Sequence, residues 1–122
     1  METKKHRVLV VDDQSQNVRL IKQVLAMERC YIVDEAANGE EALTKLKDNS
    51  YDALLTDWLM PKMNGAELIK RIRNELTLPP YIMMITAIQS SQAKESILEI
   101  GADEFISKPL RMKSFLVTLK EL

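Results

Sequence analysis

Cysteine and histidine are almost missing from this chain: Cys30 and His6 are the only ones. A single thiol forms no internal disulfide, and one thiol with one imidazole cannot supply the four ligands of a structural zinc site. Neither staple holds the fold. Long apolar runs are missing too. None approaches the ~18 residues of a membrane span, and Met1 to Arg7 is polar and leads into a strand instead of the apolar region of a signal peptide. The expectation is a cytoplasmic protein without membrane contact. Charge of one sign is not concentrated either. Seventeen Lys and Arg stand against 18 Asp and Glu, for a net charge of −1, and they are spread along the chain without an electrostatic footprint for a phosphate backbone. Direct contact with nucleic acid is not expected, and Lys4-Lys5-His6-Arg7 reads as a solvated lead-in.

What is present is the composition of one globular domain. Apolar residues make up 46% of 122 positions and charged residues 29%, enough to bury very roughly two thirds of the unfolded surface in a single core. Residues 1–122 are expected to be one domain, standing alone or cut from a longer protein, with no internal linker, repeat or low-complexity segment.

Short apolar runs that suit strands begin near Val8, Ile32, Ala53, Tyr81 and Glu104. Each interval holds one helix. Val18, Ile21, Val24 and Leu25 share a face of a helix over Ser15 to Met27, with Ser15 as the expected cap. Asn38-Gly39 makes a turn before Ala42, Leu43 and Leu46. Asn64-Gly65 precedes Leu68, Ile69 and Ile72, and Leu78-Pro79-Pro80 stops that third helix. A fourth helix spans roughly Ser90 to Ile100, with Gly101 where a left-handed cap belongs. Met112, Phe115, Leu116 and Leu119 form the packing stripe of a fifth. Strands alternating with helices imply right-handed crossovers and a parallel sheet covered on both faces. The expected fold is α/β, doubly wound and flavodoxin-like: five parallel strands in the order 2-1-3-4-5 with five helices. Its crevice opens between strands 1 and 3, where the chain reverses.

The chemistry sits at the carboxyl ends of those strands. Asp12 and Asp13 follow Val8-Leu9-Val10-Val11, and Asp57 follows Ala53-Leu54-Leu55-Thr56. Thr86 ends Tyr81-Ile82-Met83-Met84-Ile85, and Lys108-Pro109 follows Phe105-Ile106-Ser107. Singly, each has a plain reading as a cap, a turn residue or a solvated charge. Together they place acid, acid, hydroxyl and cation on one edge from four strands. Carboxylates about 4 Å apart repel by roughly 4 kcal/mol per pair at an effective dielectric near 20. A divalent cation relieves that cost, and an all-oxygen site with room for water and phosphate suits Mg²⁺, with Mn²⁺ as a substitute. Phosphoryl chemistry follows, with Asp57 as nucleophile and Lys108 as the ammonium that neutralises phosphoryl oxygens.

Four separated segments agree in order and spacing with one family. They are Val8-Leu9-Val10-Val11-Asp12-Asp13, Leu55-Thr56-Asp57-Trp58-Leu59-Met60-Pro61-Lys62-Met63-Asn64-Gly65, Ile85-Thr86-Ala87, and Gly101 through Pro109. From residue 7 to the end the chain closely resembles the receiver domain of two-component response regulators, of the chemotaxis-regulator kind. The resemblance implies that Asp57 is the phosphoacceptor, supplied by the phosphohistidine of a histidine kinase or phosphotransfer protein. It implies Mg²⁺ held by Asp13, Asp57 and the backbone carbonyl of Leu59, with Asp12 acting through a metal-bound water. Thr86 would hydrogen-bond the phosphoryl group, Phe105 would be the rotating aromatic of the switch, Lys108 would pair with a phosphoryl oxygen, and Lys108-Pro109 would be a cis peptide. The output would be binding to a downstream protein or output domain, including a phosphorylation-dependent homodimer. Trp58 reads either as a partner contact or as a large side chain beside the crevice, and Pro61 and Gly65 either as a fixed turn or as ordinary punctuation.

Two other functions compete. A small Mg²⁺-dependent aspartyl-phosphate phosphatase, similar to haloacid dehalogenases, needs a second Asp two residues after its nucleophile and a cap over the substrate. Position 59 is Leu, and no insertion is long enough. A flavodoxin-like mononucleotide binder needs a Ser, Thr or Gly-rich cradle after strand 1. The chain has Asp-Asp-Gln-Ser there, whose acids repel a phosphate.

Overall fold

The computed structural model describes residues 6–26 and 31–108. Among them five strands alternate with four helices: β1 His6–Val11, α1 Ser15–Ala26, β2 Tyr31–Ala36, α2 Gly39–Asp48, β3 Ala53–Thr56, α3 Gly65–Glu75, β4 Tyr81–Thr86, α4 Ser91–Ile100 and β5 Glu104–Ser107. All pairings are parallel and the order is β2-β1-β3-β4-β5, as the sequence leads one to expect. The fifth helix and the Lys108-Pro109 peptide bond fall outside the described residues.

The apolar runs fill both faces of the sheet. Leu9, Val11, Leu54, Ile82 and Met84 point to one side and pack with the stripes of α2, α3 and α4, including Leu43, Leu68, Ile72 and Ile97. The alternate residues Val8, Val10, Ala53, Leu55, Met83 and Ile85 point to the other, against Val18, Ile21, Val24 and Leu25 of α1. Helices divide this way because the chain steps one way from β1 to β2 and the other way from β2 onward, and right-handed crossovers then put α1 opposite the rest.

Strand ends are aligned by register, and this aligns the chemistry. Val11 pairs with both Ala36 and Thr56, Thr56 with Met84, and Thr86 with Ser107. Asp12, Asp57, Thr86 and Lys108 therefore all stand at or one residue beyond the same edge.

Helix starts follow the Asn and Ser signals in three cases. The side chains of Asn38, Asn64 and Ser90 accept from the backbone N–H of Glu41, Glu67 and Ala93, respectively. Gly101 closes α4 at φ 132°, its N–H donating to Ile97 and Leu98 carbonyls, a conformation that suits glycine. The expected cap at Ser15 is corrected. Ser15 is already helical, and the Gln14 carbonyl accepts the first bonds, from Asn17 (3.1 Å) and Val18 (3.4 Å). The physical reason is that Asp12 performs the turn: its Oδ1 accepts from the Gln14 N–H at 2.9 Å, starting the helix one residue earlier than Ser15 would.

Candidate functional site

Asp12, Asp13 and Asp57 converge beyond β1 and β3, each offering a carboxylate oxygen within 4.8 Å of the other two. Asp12 is buried at 6% exposure, Asp57 is half-buried and Asp13 is exposed. At that separation, like charges repel by roughly 3 kcal/mol per pair at an effective dielectric near 20. The chain supplies part of the compensation. Asp12 Oδ2 accepts from Asn17 Nδ2 at 3.1 Å, and Asp57 Oδ1 accepts from the Trp58 N–H at 2.8 Å. Lys108 Nζ lies between the two acids, 3.5 Å from Asp57 Oδ2 and 3.8 Å from Asp12 Oδ2. Burial still pushes the Asp12 carboxyl above its usual range; the bonds from Gln14 and Asn17 pull it back, and the Asp57 charge adds to the rise.

These donors leave Asp13 without a protein cation among the ion pairs of the described residues. Three carboxylates sharing one lysine remain net negative, and their hard oxygens fit Mg²⁺ or Mn²⁺. Such an ion would hold water as well as protein, because Asp13 faces solvent.

Thr86 is fully buried at the end of β4. Its Oγ1 accepts from the Ile88 N–H at 3.3 Å and keeps its own proton to donate. Its carbonyl accepts from the Lys108 N–H at 2.8 Å, so the hydroxyl and the ammonium hang from one backbone contact. Phe105 is half-buried against the core, and its ring meets that of Trp58 at 90°. It also lines a cleft of about 280 Å³ with Gln89, Ser90, Lys94 and Ser107. Leu59 stands two residues after Asp57 with 67% of its surface exposed.

The loop from Asp57 to α3 is a fixed turn. Met63 N–H donates to the Pro61 carbonyl at 2.8 Å, which carries Lys62 to φ 70°, a three-residue turn rarely taken by residues with a side chain. Gly65 N–H donates to Trp58 O at 2.7 Å. A Cβ at Gly65 would stand 2.3 Å from the Asp57 carbonyl oxygen and 3.0 Å from Trp58 Cα. Glycine is required there by close backbone approach, which is more than punctuation.

Two residues of the site escape a reading of the sequence alone. Asn17 looks like an ordinary polar residue of α1, and Gln14 acts through its backbone. The available signal for Asn17 was its place in the first turn of the helix, from which a short amide reaches back toward the strand end.

Comparison with known proteins points to one family. A family model described as the response regulator receiver domain matches residues 8–120. The transcriptional regulatory protein ResD of Bacillus subtilis strain 168 is 35% identical over 121 residues, covering 99% of this chain and 49% of ResD. The chain spans about half the length of the curated relatives it matches. A CheY-like response regulator receiver domain protein from Methanospirillum hungatei JF-1 superposes with a TM-score of 0.86 at 32% identity, covering 98% of this chain and 93% of that one. A chain of the CheX–CheY–BeF₃–Mg²⁺ complex from Borrelia burgdorferi superposes at 0.89 with 31% identity, over 97% and 89% of the two chains.

Proposed function

Because this chain belongs to the response regulator receiver domain family, a signalling module of two-component systems, we propose that Asp57 is its phosphoacceptor. The observation that carries the assignment is the position of Lys108 Nζ, 3.5 Å from Asp57 Oδ2, over a cluster of three carboxylates on one strand edge. Asp57 alone combines a strand-end carboxylate, a lysine and a half-open position.

In the transfer, an Asp57 carboxylate oxygen forms a P–O bond as the P–N bond of a donor phosphohistidine breaks. The electron pair leaves with the imidazole, which takes up a proton. Lys108 neutralises charge on the phosphoryl oxygens, and the Trp58 N–H holds the carboxylate in orientation. Mg²⁺, or Mn²⁺, would be held by Asp13, Asp57 and the Leu59 carbonyl with Asp12 behind, and would supply further charge neutralisation. The product adds roughly −1.5 to −2 charge. The Thr86 hydroxyl then turns to the phosphoryl group and Phe105 changes its burial, which alters partner binding.

On this reading residues 1–122 are a single cytoplasmic receiver domain that promotes only its own phosphorylation and dephosphorylation. Its partners are a histidine kinase or phosphotransfer protein upstream and a downstream protein or output domain, with homodimerisation dependent on phosphate. The BeF₃ and Mg²⁺ named for the Borrelia complex support the same ligand chemistry here, since BeF₃⁻ stands in for a phosphoryl group. The family match does not favour the aspartyl-phosphate phosphatase, and Leu59 still occupies the place of its second acid.

Intact mass spectrometry after incubation with phosphoramidate and Mg²⁺ tests the assignment. The wild type should gain one phosphoryl group and Asp57→Asn none. Equal labelling of the two proteins would put the acceptor elsewhere.

A further inference from the structure

A cleft of about 510 Å³ is lined in part by Asp12, Asp57, Lys108 and Asn17. Phosphoryl transfer to Asp57 accounts for the first three and leaves Asn17 without a role; the role inferred for it rests on that proposed function. Its amide donates to Asp12 Oδ2 at 3.1 Å and to Gln14 Oε1 at 3.1 Å. Lys108 Nζ approaches that same Asp12 oxygen, at 3.8 Å, and Asp57 Oδ2 at 3.5 Å. The amide and the ammonium therefore face one oxygen, and of the two only the amide is within hydrogen-bond distance of it.

We infer that Asn17 is a positioning residue: it fixes the Asp12 carboxylate toward the cation site and, by occupying Asp12 Oδ2, leaves Lys108 free to serve Asp57. The geometry allows little else to do this. Asp12 Oδ1 is spent on the Gln14 N–H at 2.9 Å, so without Asn17 the buried carboxylate is left, among the described residues, with Lys108 as its side-chain partner, at 3.8 Å. A lysine drawn onto Asp12 is a lysine withdrawn from the acceptor. Asn17 can exert this control because it sits in the first turn of α1, whose start is itself set by Asp12. Carboxylate, turn and amide form one closed loop of hydrogen bonds.

The test is a Mg²⁺ titration followed by Trp58 fluorescence, with thermal unfolding in the absence of divalent cation measured alongside. Asn17→Leu removes the donor while keeping the size, among the apolar neighbours Leu20 and Ile21. It should stay folded, raise the Mg²⁺ half-saturation on the order of tenfold, and slow phosphoramidate labelling even at saturating Mg²⁺. Asn17→Gln, which keeps an amide, should recover most of both. In an Asp12→Ala background the leucine substitution should add nothing, because the residue it acts through is gone. Titrations of wild type and Asn17→Leu that superimpose overturn the inference. So does an equal weakening in the Leu and Gln variants that accompanies an equal loss of thermal stability, since that marks a merely structural role. A wild type with no Mg²⁺ response at all would overturn the metal site itself and this inference with it, whereas a response lost in Asp13→Ala and kept in Asn17→Leu would overturn this inference alone.

Discussion

Trp58 and Phe105 meet edge to face, with ring centroids 6.4 Å apart and planes at 90°. The Trp58 N–H also donates to Asp57 Oδ1 at 2.8 Å. The residue that orients the proposed acceptor thus touches the aromatic side chain expected to move. Edge-to-face pairs contribute about 0.5–1.5 kcal/mol beyond burial, enough to bias a two-state rotation without locking it.

Trp58 emission should therefore report phosphorylation through Phe105. Adding phosphoramidate to the Mg²⁺-loaded protein should change the spectrum, and in Phe105→Leu this second change should shrink while the response to Mg²⁺ persists. Identical two-step responses in both proteins would show that the ring contact carries no signal.

Gly65→Ala should be more harmful than Gly39→Ala. At Gly65 the added Cβ meets backbone, 2.3 Å from the Asp57 carbonyl oxygen, whereas at Gly39 its nearest neighbours are Met63 side-chain atoms, Sδ at 2.8 Å and Cβ and Cγ at 3.0 Å. A flexible thioether yields and a peptide does not. Urea denaturation should show a loss of roughly 1–3 kcal/mol for Gly65→Ala and less for Gly39→Ala. Labelling of Asp57 should also slow in the first variant alone, because its carbonyl must shift. Equal losses would mean the loop relaxes freely.

Thr86→Ala should fold and accept phosphate but fail to pass the signal on. Truncation leaves the Ile88 N–H without the Oγ1 acceptor it has at 3.3 Å, a cost of about 1 kcal/mol. Amide chemical shifts around Ala87, Phe105 and α4 should move on phosphorylation in the wild type and stay put in the variant. Shift changes of wild-type size would remove Thr86 from the switch.

Far from the site, Asp34, Tyr51 and Arg7 tie the edge strand β2 to the sheet. Tyr51 Oη donates to Asp34 Oδ2 at 2.6 Å and Arg7 Nη2 donates to the same oxygen at 2.9 Å. Burial and the Asp34 partner push the Tyr51 hydroxyl up to about 12, and the Tyr51 bond holds the Asp34 carboxyl below its usual range. A raised tyrosine stabilises the fold fully below its ordinary value of 10.0 and loses that contribution as pH climbs through about 12. A depressed carboxylate stabilises above its ordinary value of 3.8 and loses that contribution as pH falls through its lowered one. The stability gap between wild type and Tyr51→Phe should hence be widest between these limits, at about 2 kcal/mol for a hydrogen bond to a charged group, and narrow in both acid and alkali. Urea midpoints measured across pH give the curve, and a gap independent of pH would contradict it.

The sequence by itself determined the strands and the acids at their ends. A strand buried on both faces must be apolar at nearly every position, so Val8 to Val11 and Ala53 to Leu55 with the buried Thr56 announce themselves locally, and a charged residue directly after such a run belongs at the sheet edge. Strand register was not among them: that Val11 stands opposite Thr56 and Thr86 opposite Ser107 came only with the folded sheet. Only the tertiary structure decided what depends on distance through space. That Lys108 stands between Asp57 and Asp12, that Gly65 lies against the Asp57 carbonyl, and that Trp58 meets Phe105 all involve residues from different elements, whose separation no periodicity records. Ser15 shows the converse: its local signal for a cap was real, but Asp12 reached the Gln14 N–H first, because a carboxylate fixed at the end of β1 is already in place when the helix begins. Asn17 was silent for the same reason. Its amide gains a role only once the strand end and the first turn of α1 are folded against each other.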